Sequence, residues 1–357
     1  MTERQIGRSG LVTPPLMLGG NVFGWTADRE TSFAVLDAFL DGGGTLIDTA
    51  DMYSNWIPGL VGGESESIIG EWQASRGCRE RILIATKVGR GNGEMAGLSG
   101  KTIVKAVEAS LRRLRTDYID MYFAHLDDDA TPLEESLCAF DELVKAGKVR
   151  ALGASHYRAE RLLQVRAISD ALGLARYELL QPRYNLMSRG EFEGPLQQLC
   201  MEQNIGVVPF YALASGFLTG KYRRLEDFGE RQRGAEVVKY LDAFGLGVLD
   251  ALDAVAGQTG ASQAQVALAW LMAQPGVTAP IASATSTTQV AELLGAMRLT
   301  LDAPQLALLD RASAVPVASS AGGAKPSGSG RAASNQTASS PSPQTLIRRP
   351  EALPCTP

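Results

Sequence analysis

Histidine is nearly missing from this 357-residue chain: there are two, His125 and His156, so any imidazole chemistry rests on one of them. A lone histidine is more often a hydrogen-bonded structural residue than a catalyst, and only its neighbours decide between the two. Cysteine is also scarce. Cys78, Cys138, Cys200 and Cys355 are widely scattered with no CxxC pair. Buried thiols in a reduced, cytoplasmic protein are expected, with no metal. No basic run interleaves with aromatics, and the net charge is -5, which speaks against nucleic acid as the main partner. No apolar run approaches the roughly 18 residues of a membrane span, and the N-terminus has no signal-peptide core, so no membrane partner is expected. Oligomeric state is not legible.

What remains is a chain with 45% hydrophobic and 20% charged residues, enough for a large packed core. Short apolar runs recur about every 30 residues, each followed by a helical pattern. The strands fall at Leu16–Gly20, Thr45–Ile47, Ile82–Lys87, Tyr118–Tyr122, Val149–Ala154, Glu178–Gln181, Gly206–Phe210 and Thr278–Ala282. Thr131 and Pro132 suit the start of a helix as cap and first residue. Between the last two strands lie a polar loop and two further helical stretches, Val237–Val255 and Gln263–Met272. Eight alternating units predict an α/β fold, a (β/α)8 barrel with extra helices between strands seven and eight. The competitor, a doubly wound open sheet, usually opens on GxGxxG leading into a helix, and Gly19-Gly20-Asn21-Val22-Phe23-Gly24 opens none. The barrel is expected over residues 1–316. From 317 to 357 the chain is rich in Ser, Ala, Gly and Pro, and a disordered tail is expected.

A barrel does its chemistry where the C-terminal ends of its strands meet. The second strand delivers Asp48 and, beyond it, Tyr53; the third ends in Lys87; the fourth runs into His125. A buried ammonium needs a partner, and Asp48 is available. A phenol has an ordinary pKa near 10, which a neighbouring cation lowers, and a histidine in reach orients a substrate oxygen. Together they suit protonation of a carbonyl oxygen as hydride reaches its carbon. The plainer alternative is a structural ion pair, a packed tyrosine and a satisfied histidine. Asp51, equally close, has no such role and is expected to be structural.

In Gly44-Thr45-Leu46-Ile47-Asp48-Thr49-Ala50-Asp51-Met52-Tyr53, the strand ending at Lys87, Asp120 to His125, Gly153-Ala154-Ser155, Leu180 to Asn185 and Pro209 to Lys221, the chain resembles the aldo-keto reductase superfamily from about Gly7 to Ala314. The resemblance implies a barrel that reduces carbonyls with a nicotinamide cofactor. Tyr53 would be proton donor, Lys87 and Asp48 the pair tuning it, and His125 the group orienting the carbonyl. It places Ser155 and Gln181 on the nicotinamide amide, and Phe210 against the nicotinamide ring. Leu213, Ser215, Gly216, Leu218 and Lys221 fall on a loop over the pyrophosphate.

Some positions depart from the family pattern. His156 stands where many relatives carry Asn, as a substitute contact or a structural residue. Ser283 and Gln289 stand near the adenosine end, where relatives that prefer NADPH often place cations. They hydrogen-bond a phosphate without neutralising it, so NADPH is expected with only modest preference over NADH, unless Arg223 or Arg224 supplies the charge. Val22, Phe23, Trp25 and the segment Asn55-Trp56-Ile57-Pro58 either line an apolar substrate pocket or pack the rim. A second role stays open: some relatives with this barrel are cofactor-sensing subunits of ion channels, with little turnover.

Overall fold

Side chains alternate along eight short parallel strands that close into a ring in the computed structural model, which describes residues 3–227 and 234–314. Ahead of the ring stands a small antiparallel hairpin, β1 (Arg4–Gln5) and β2 (Val12–Thr13). The ring strands are β3 (Met17–Gly19), β4 (Leu46–Asp48), β5 (Leu83–Val88), β6 (Ile119–Ala124), β7 (Val149–Ser155), β8 (Tyr177–Gln181), β9 (Gly206–Val207) and β10 (Ile281–Ala282). They run in the order β10-β3-β4-β5-β6-β7-β8-β9. Closure between the two ends comes from Val207 pairing in parallel with Val277. Thr278 N donates to Val207 O at 2.7 Å and Ile281 N to Pro209 O at 2.9 Å. The fold is the expected (β/α)8 barrel.

Helices α1 (Arg29–Asp41), α2 (Glu64–Arg76), α3 (Gly100–Leu114), α4 (Leu133–Lys145), α5 (Ala159–Leu172) and α6 (Pro195–Gln203) each link one strand to the next. Between β9 and β10 come α7 (Gly234–Val237), α8 (Ala243–Thr259) and α9 (Gln263–Ala273), and α10 (Thr287–Ala296) and α11 (Ala303–Ala312) follow β10. The helical stretch expected from Val237 begins in earnest only at Ala243, where Asp242 caps α8 by accepting from Gly245 N. Thr131 does not cap α4: its hydroxyl donates to Asp128 at 2.7 Å, and Pro132 stands at the cap. The seventh and eighth strands are shorter than expected, because Pro209 and Pro280 have no N–H to offer a ladder.

Period-two alternation divides the core. Outward positions such as Ile47, Ile84 and Leu152 pack against the helices, while Met17, Leu46, Ala85, Met121, Phe123, Ala151, Leu179, Val208 and Ile281 fill the ring. Ile6 and Leu11 of the hairpin join this inner cluster. Gly7, with φ 54°, lets the hairpin press against β8: a Cβ there would lie 2.2 Å from Glu178 O. The hairpin therefore plugs the end of the ring where the strands begin.

By its contacts the chain divides into two units, Met1–Ala314 and Val315–Pro357. The tail expected to be disordered lies outside the described residues, as does Cys355. Cys78 and Cys200 are buried free thiols, and Cys138 is half-buried. Among the described residues no helix is long and apolar enough to cross a membrane.

Candidate active site

Asp48, Lys87, Gln181 and Ser283 are the next inward positions above the apolar layer, each two residues beyond a core residue of its own strand or strand end, and Ser155 ends β7 four residues beyond Ala151. The alternation that buries Leu46 and Ala85 thus also turns Asp48 and Lys87 inward. Lys87 is fully buried, and its ammonium has three donors with three acceptors. Nζ lies 2.6 Å from Asp48 Oδ1, 2.7 Å from Thr49 O and 2.7 Å from the Tyr53 hydroxyl. The Tyr53 hydroxyl in turn donates to Asp48 Oδ2 at 2.7 Å. Gln181 Nε2 donates to the same carboxylate at 3.0 Å. The turn after β4 fixes the tyrosine: Thr49 N bonds Ala85 O at 2.8 Å, and Tyr53 N bonds Ala50 O at 3.3 Å.

His125 follows β6, with its backbone N on Val88 O at 2.9 Å and its ring 6.2 Å from that of Tyr53, edge to face. Its Nδ1 has no hydrogen-bond partner. Burial, then the charges of Lys87 and Arg90, holds its pKa well below the usual histidine value, so the ring is neutral at pH 7. Burial likewise lowers Lys87, against the pull of Asp48.

Tyr53 corrects the expectation of a lowered phenol. Desolvation first, and the Asp48 carboxylate second, push its pKa well above the ordinary value. The reason is the direction of the hydrogen bond. A hydroxyl that donates to an anion in a dry site holds its proton more tightly than one facing a cation alone. At rest this tyrosine is a firmly protonated acid.

Comparison with known proteins identifies the family. The family model described as "Aldo/keto reductase family" matches residues 15–314. An uncharacterised oxidoreductase, YrpG of Bacillus subtilis, is 33% identical over 318 residues, covering 87% of this chain and 95% of that protein. L-glyceraldehyde 3-phosphate reductase of Escherichia coli O157:H7 is 32% identical, over 87% of this chain and 92% of the relative. A probable voltage-gated potassium channel subunit beta of Oryza sativa is also 32% identical, over 83% and 91%. The chain belongs to the aldo/keto reductase family.

In this aldo/keto reductase, the remaining positions singled out from the sequence lie on the arc from β7 to β10. Ser155 is buried and donates its hydroxyl to Gln181 O at 2.9 Å, which leaves the hydroxyl's lone pairs free to accept. Phe210 packs on the His156 ring, with 5.1 Å between centroids, and Arg183 lies 5.8 Å from its face. His156 has φ 61° and keeps much of its surface exposed. Desolvation of its ring, then Arg90, Arg183 and Lys87, lowers its pKa to about 4.

The loop beyond Phe210 is backbone-strained: Tyr211, Ala214 and Ser215 all have positive φ (57°, 48°, 56°), as does Gly216 at 92°. Leu218 is buried, Leu213 half-buried, and Lys221 extends over the Tyr222 ring at 5.1 Å. Ser215 Oγ donates to Glu236 at 2.8 Å. After β10, Ser283 Oγ donates to Asn21 Oδ1 at 2.6 Å, and Gln289 accepts from Thr285 N at 2.8 Å. Arg223 is ion-paired with Asp250 and Asp253, whereas Arg224 is largely exposed, 3.7 Å from Asp227.

Three features escaped the sequence. The Thr49 carbonyl that holds Lys87 is backbone, invisible to any motif. Gln181 binds the Asp48 carboxylate, a contact across 133 residues of chain. Asp51, expected to be structural, has both carboxylate oxygens buried with no partner, and burial followed by Glu66 raises its pKa to about 7.

Proposed function

We propose that this protein reduces small aldehydes or ketones to alcohols with NADPH or NADH, using Tyr53 as the proton donor. The observation that carries this is the triangle of Tyr53, Lys87 and Asp48, closed at 2.6–2.7 Å, with a neutral histidine beside it at the open end of the barrel.

The chain's residues fit a nicotinamide dinucleotide. Ser155 and Gln181 retain acceptors toward a carboxamide, and Phe210 offers a ring face. Gly19 keeps the floor open: a Cβ there would lie 2.5 Å from Ser283 Oγ. Residues 214–216 turn through left-handed backbone of the kind that presents N–H groups to phosphate. When bound, the cofactor supplies the hydride. Leu213, Ser215, Gly216, Leu218 and Lys221 would cover its pyrophosphate, with His156 bracing Phe210. Ser283 and Gln289 would meet the adenosine end through neutral groups. With Arg223 already paired to two carboxylates, a modest NADPH preference is expected.

The chemistry of the chain is then simple. His125, neutral, donates a ring N–H to the carbonyl oxygen and fixes its direction. As negative charge grows on that oxygen, the Tyr53 hydroxyl turns from Asp48 and gives up its proton. Lys87, already 2.7 Å away, stabilises the phenolate left behind. Asp48 keeps the ammonium charged and in place.

Tyr53→Phe tests this. It is expected to lower kcat by about 10²–10⁴-fold, the range for one positioned acid, while the cofactor dissociation constant changes little. Full turnover in that variant would refute the assignment. A second reading draws on the similarity to the rice channel subunit: a cofactor-sensing module with slow turnover. Steady-state rates against a panel of small aldehydes, set beside co-purification of a membrane partner, separate the two. Titration with NADPH and NADH by fluorescence quenching settles the cofactor.

A further inference from the structure

The charges around the open end of the barrel are unevenly matched. Asp48 is spent on Lys87, Tyr53 and Gln181. Asp127 is paired with Arg161 at 2.8 Å, Asp128 accepts from the backbone N–H groups of Leu98 and Ala130, and Glu191 stands 3.8 Å from Arg183. Arg90 is exposed, and among the described residues it has no recorded hydrogen bond or ion pair. Its charge nevertheless bears on Tyr53, His125 and His156.

Its backbone is not loose. Arg90 lies three residues after Lys87, on a loop that folds back on β5. Gly89 and Arg90 both bridge to Ala96, Gly97 N bonds Gly89 O at 2.9 Å, and Gly89 makes the bend with φ 116°. Across Tyr53 stands an aromatic wall: Trp56, 44% exposed, packs edge-on against Tyr53 at 6.1 Å and Trp25 at 5.7 Å. Arg90 thus stands on the loop leaving the strand that carries Lys87, at the same end of the barrel as Tyr53 and its apolar rings. Arg90 follows β5, whereas the residues proposed for the cofactor come from β7 to β10. The anion it faces is thus more naturally the substrate's than the cofactor's.

We propose that Arg90 is the specificity residue of this reductase and binds a carboxylate or phosphate carried by the carbonyl substrate. A planar guanidinium takes either group through two parallel N–H bonds, and such pairs are among the stronger protein hydrogen bonds. The proposal rests on the carbonyl-reduction reading for its reaction, but its binding claim is measured separately.

The test compares 4-carboxybenzaldehyde with 4-methylbenzaldehyde in the full chain with NADPH, for the wild type, Arg90→Ala and Arg90→Lys. The wild type is expected to favour the carboxylated aldehyde in kcat/KM by roughly tenfold or more, as one charge-assisted pair allows. That ratio should collapse toward one in Arg90→Ala and recover in part in Arg90→Lys. A ratio unmoved by Arg90→Ala overturns the proposal. So does an equal loss of NADPH affinity in that variant, which would give Arg90 to the cofactor. If neither aldehyde is reduced, the carbonyl-reduction reading fails, and calorimetry with benzoate and benzamide decides the site. Tighter benzoate binding that vanishes in Arg90→Ala supports it, and equal binding overturns it.

Discussion

In the lower part of the ring, Leu46, Ala85, Met121, Ala151, Leu179 and Val208 meet one another and the hairpin plug, with no polar atom among their side chains. Further along the same strands, β4, β5, β7 and β8 present Asp48, Lys87, Ser155 and Gln181, joined by hydrogen bonds of 2.6–3.0 Å. Both layers are buried and both face the axis, so the backbone treats them alike. What differs is how each tolerates a defect. The apolar layer loses energy in proportion to the volume removed. The polar layer is all or none, because a single deletion strands a charge without water.

The largest effect expected from breaking that contrast is at Lys87. Lys87→Met leaves Asp48 buried without its cation and should cost about 3–5 kcal/mol of stability. Adding Asp48→Asn should restore much of that loss but no activity, as read by denaturant unfolding and kcat. Met121→Ala, one layer down, is expected to cost about 2–5 kcal/mol while kcat survives. Equal losses of activity at both positions would erase the distinction between the layers.

A smaller effect is expected between the layers. Gly153 lies beside Phe123 in register, and a Cβ there would stand 2.4 Å from the ring. Gly153→Ala should destabilise by about 1–3 kcal/mol, the range for overpacking. Phe123→Leu in the same chain should relieve part of it, measured by the shift in unfolding midpoint.

The gentlest test lies behind the site, at Asp51. Its folded pKa of about 7 is above the unfolded value of 3.8, so the folded state binds the extra proton between them. Stability should therefore fall as pH rises from about 4 to 7 and level off above that, with a slope of up to about 1.4 kcal/mol per pH unit from this group. Asp51→Asn should flatten that part of the profile. A slope unchanged in the variant would assign it elsewhere.

Much of this molecule was legible early. The eight apolar runs, their spacing and the residues at their ends locate the strands, and period-two alternation carries Asp48 and Lys87 to the inside. The hairpin plug was not legible, because two-residue strands leave no periodicity to detect. α11 escaped as well, although Asp302 and Gln305 form a capping box at its start. The contact of Gln181 with Asp48 depends on ring closure, which no local pattern encodes.

The sequence by itself determined the barrel and the types of side chain at its open end, since hydrophobic period and residue identity are local properties. Only the tertiary structure decided the state of those groups. The direction of the Tyr53 hydrogen bond, the neutrality of His125 and the unmatched charge of Arg90 all follow from burial and from which partners are already taken. Desolvation and pairing are set by neighbours distant in the chain, and so appear only once the ring is closed.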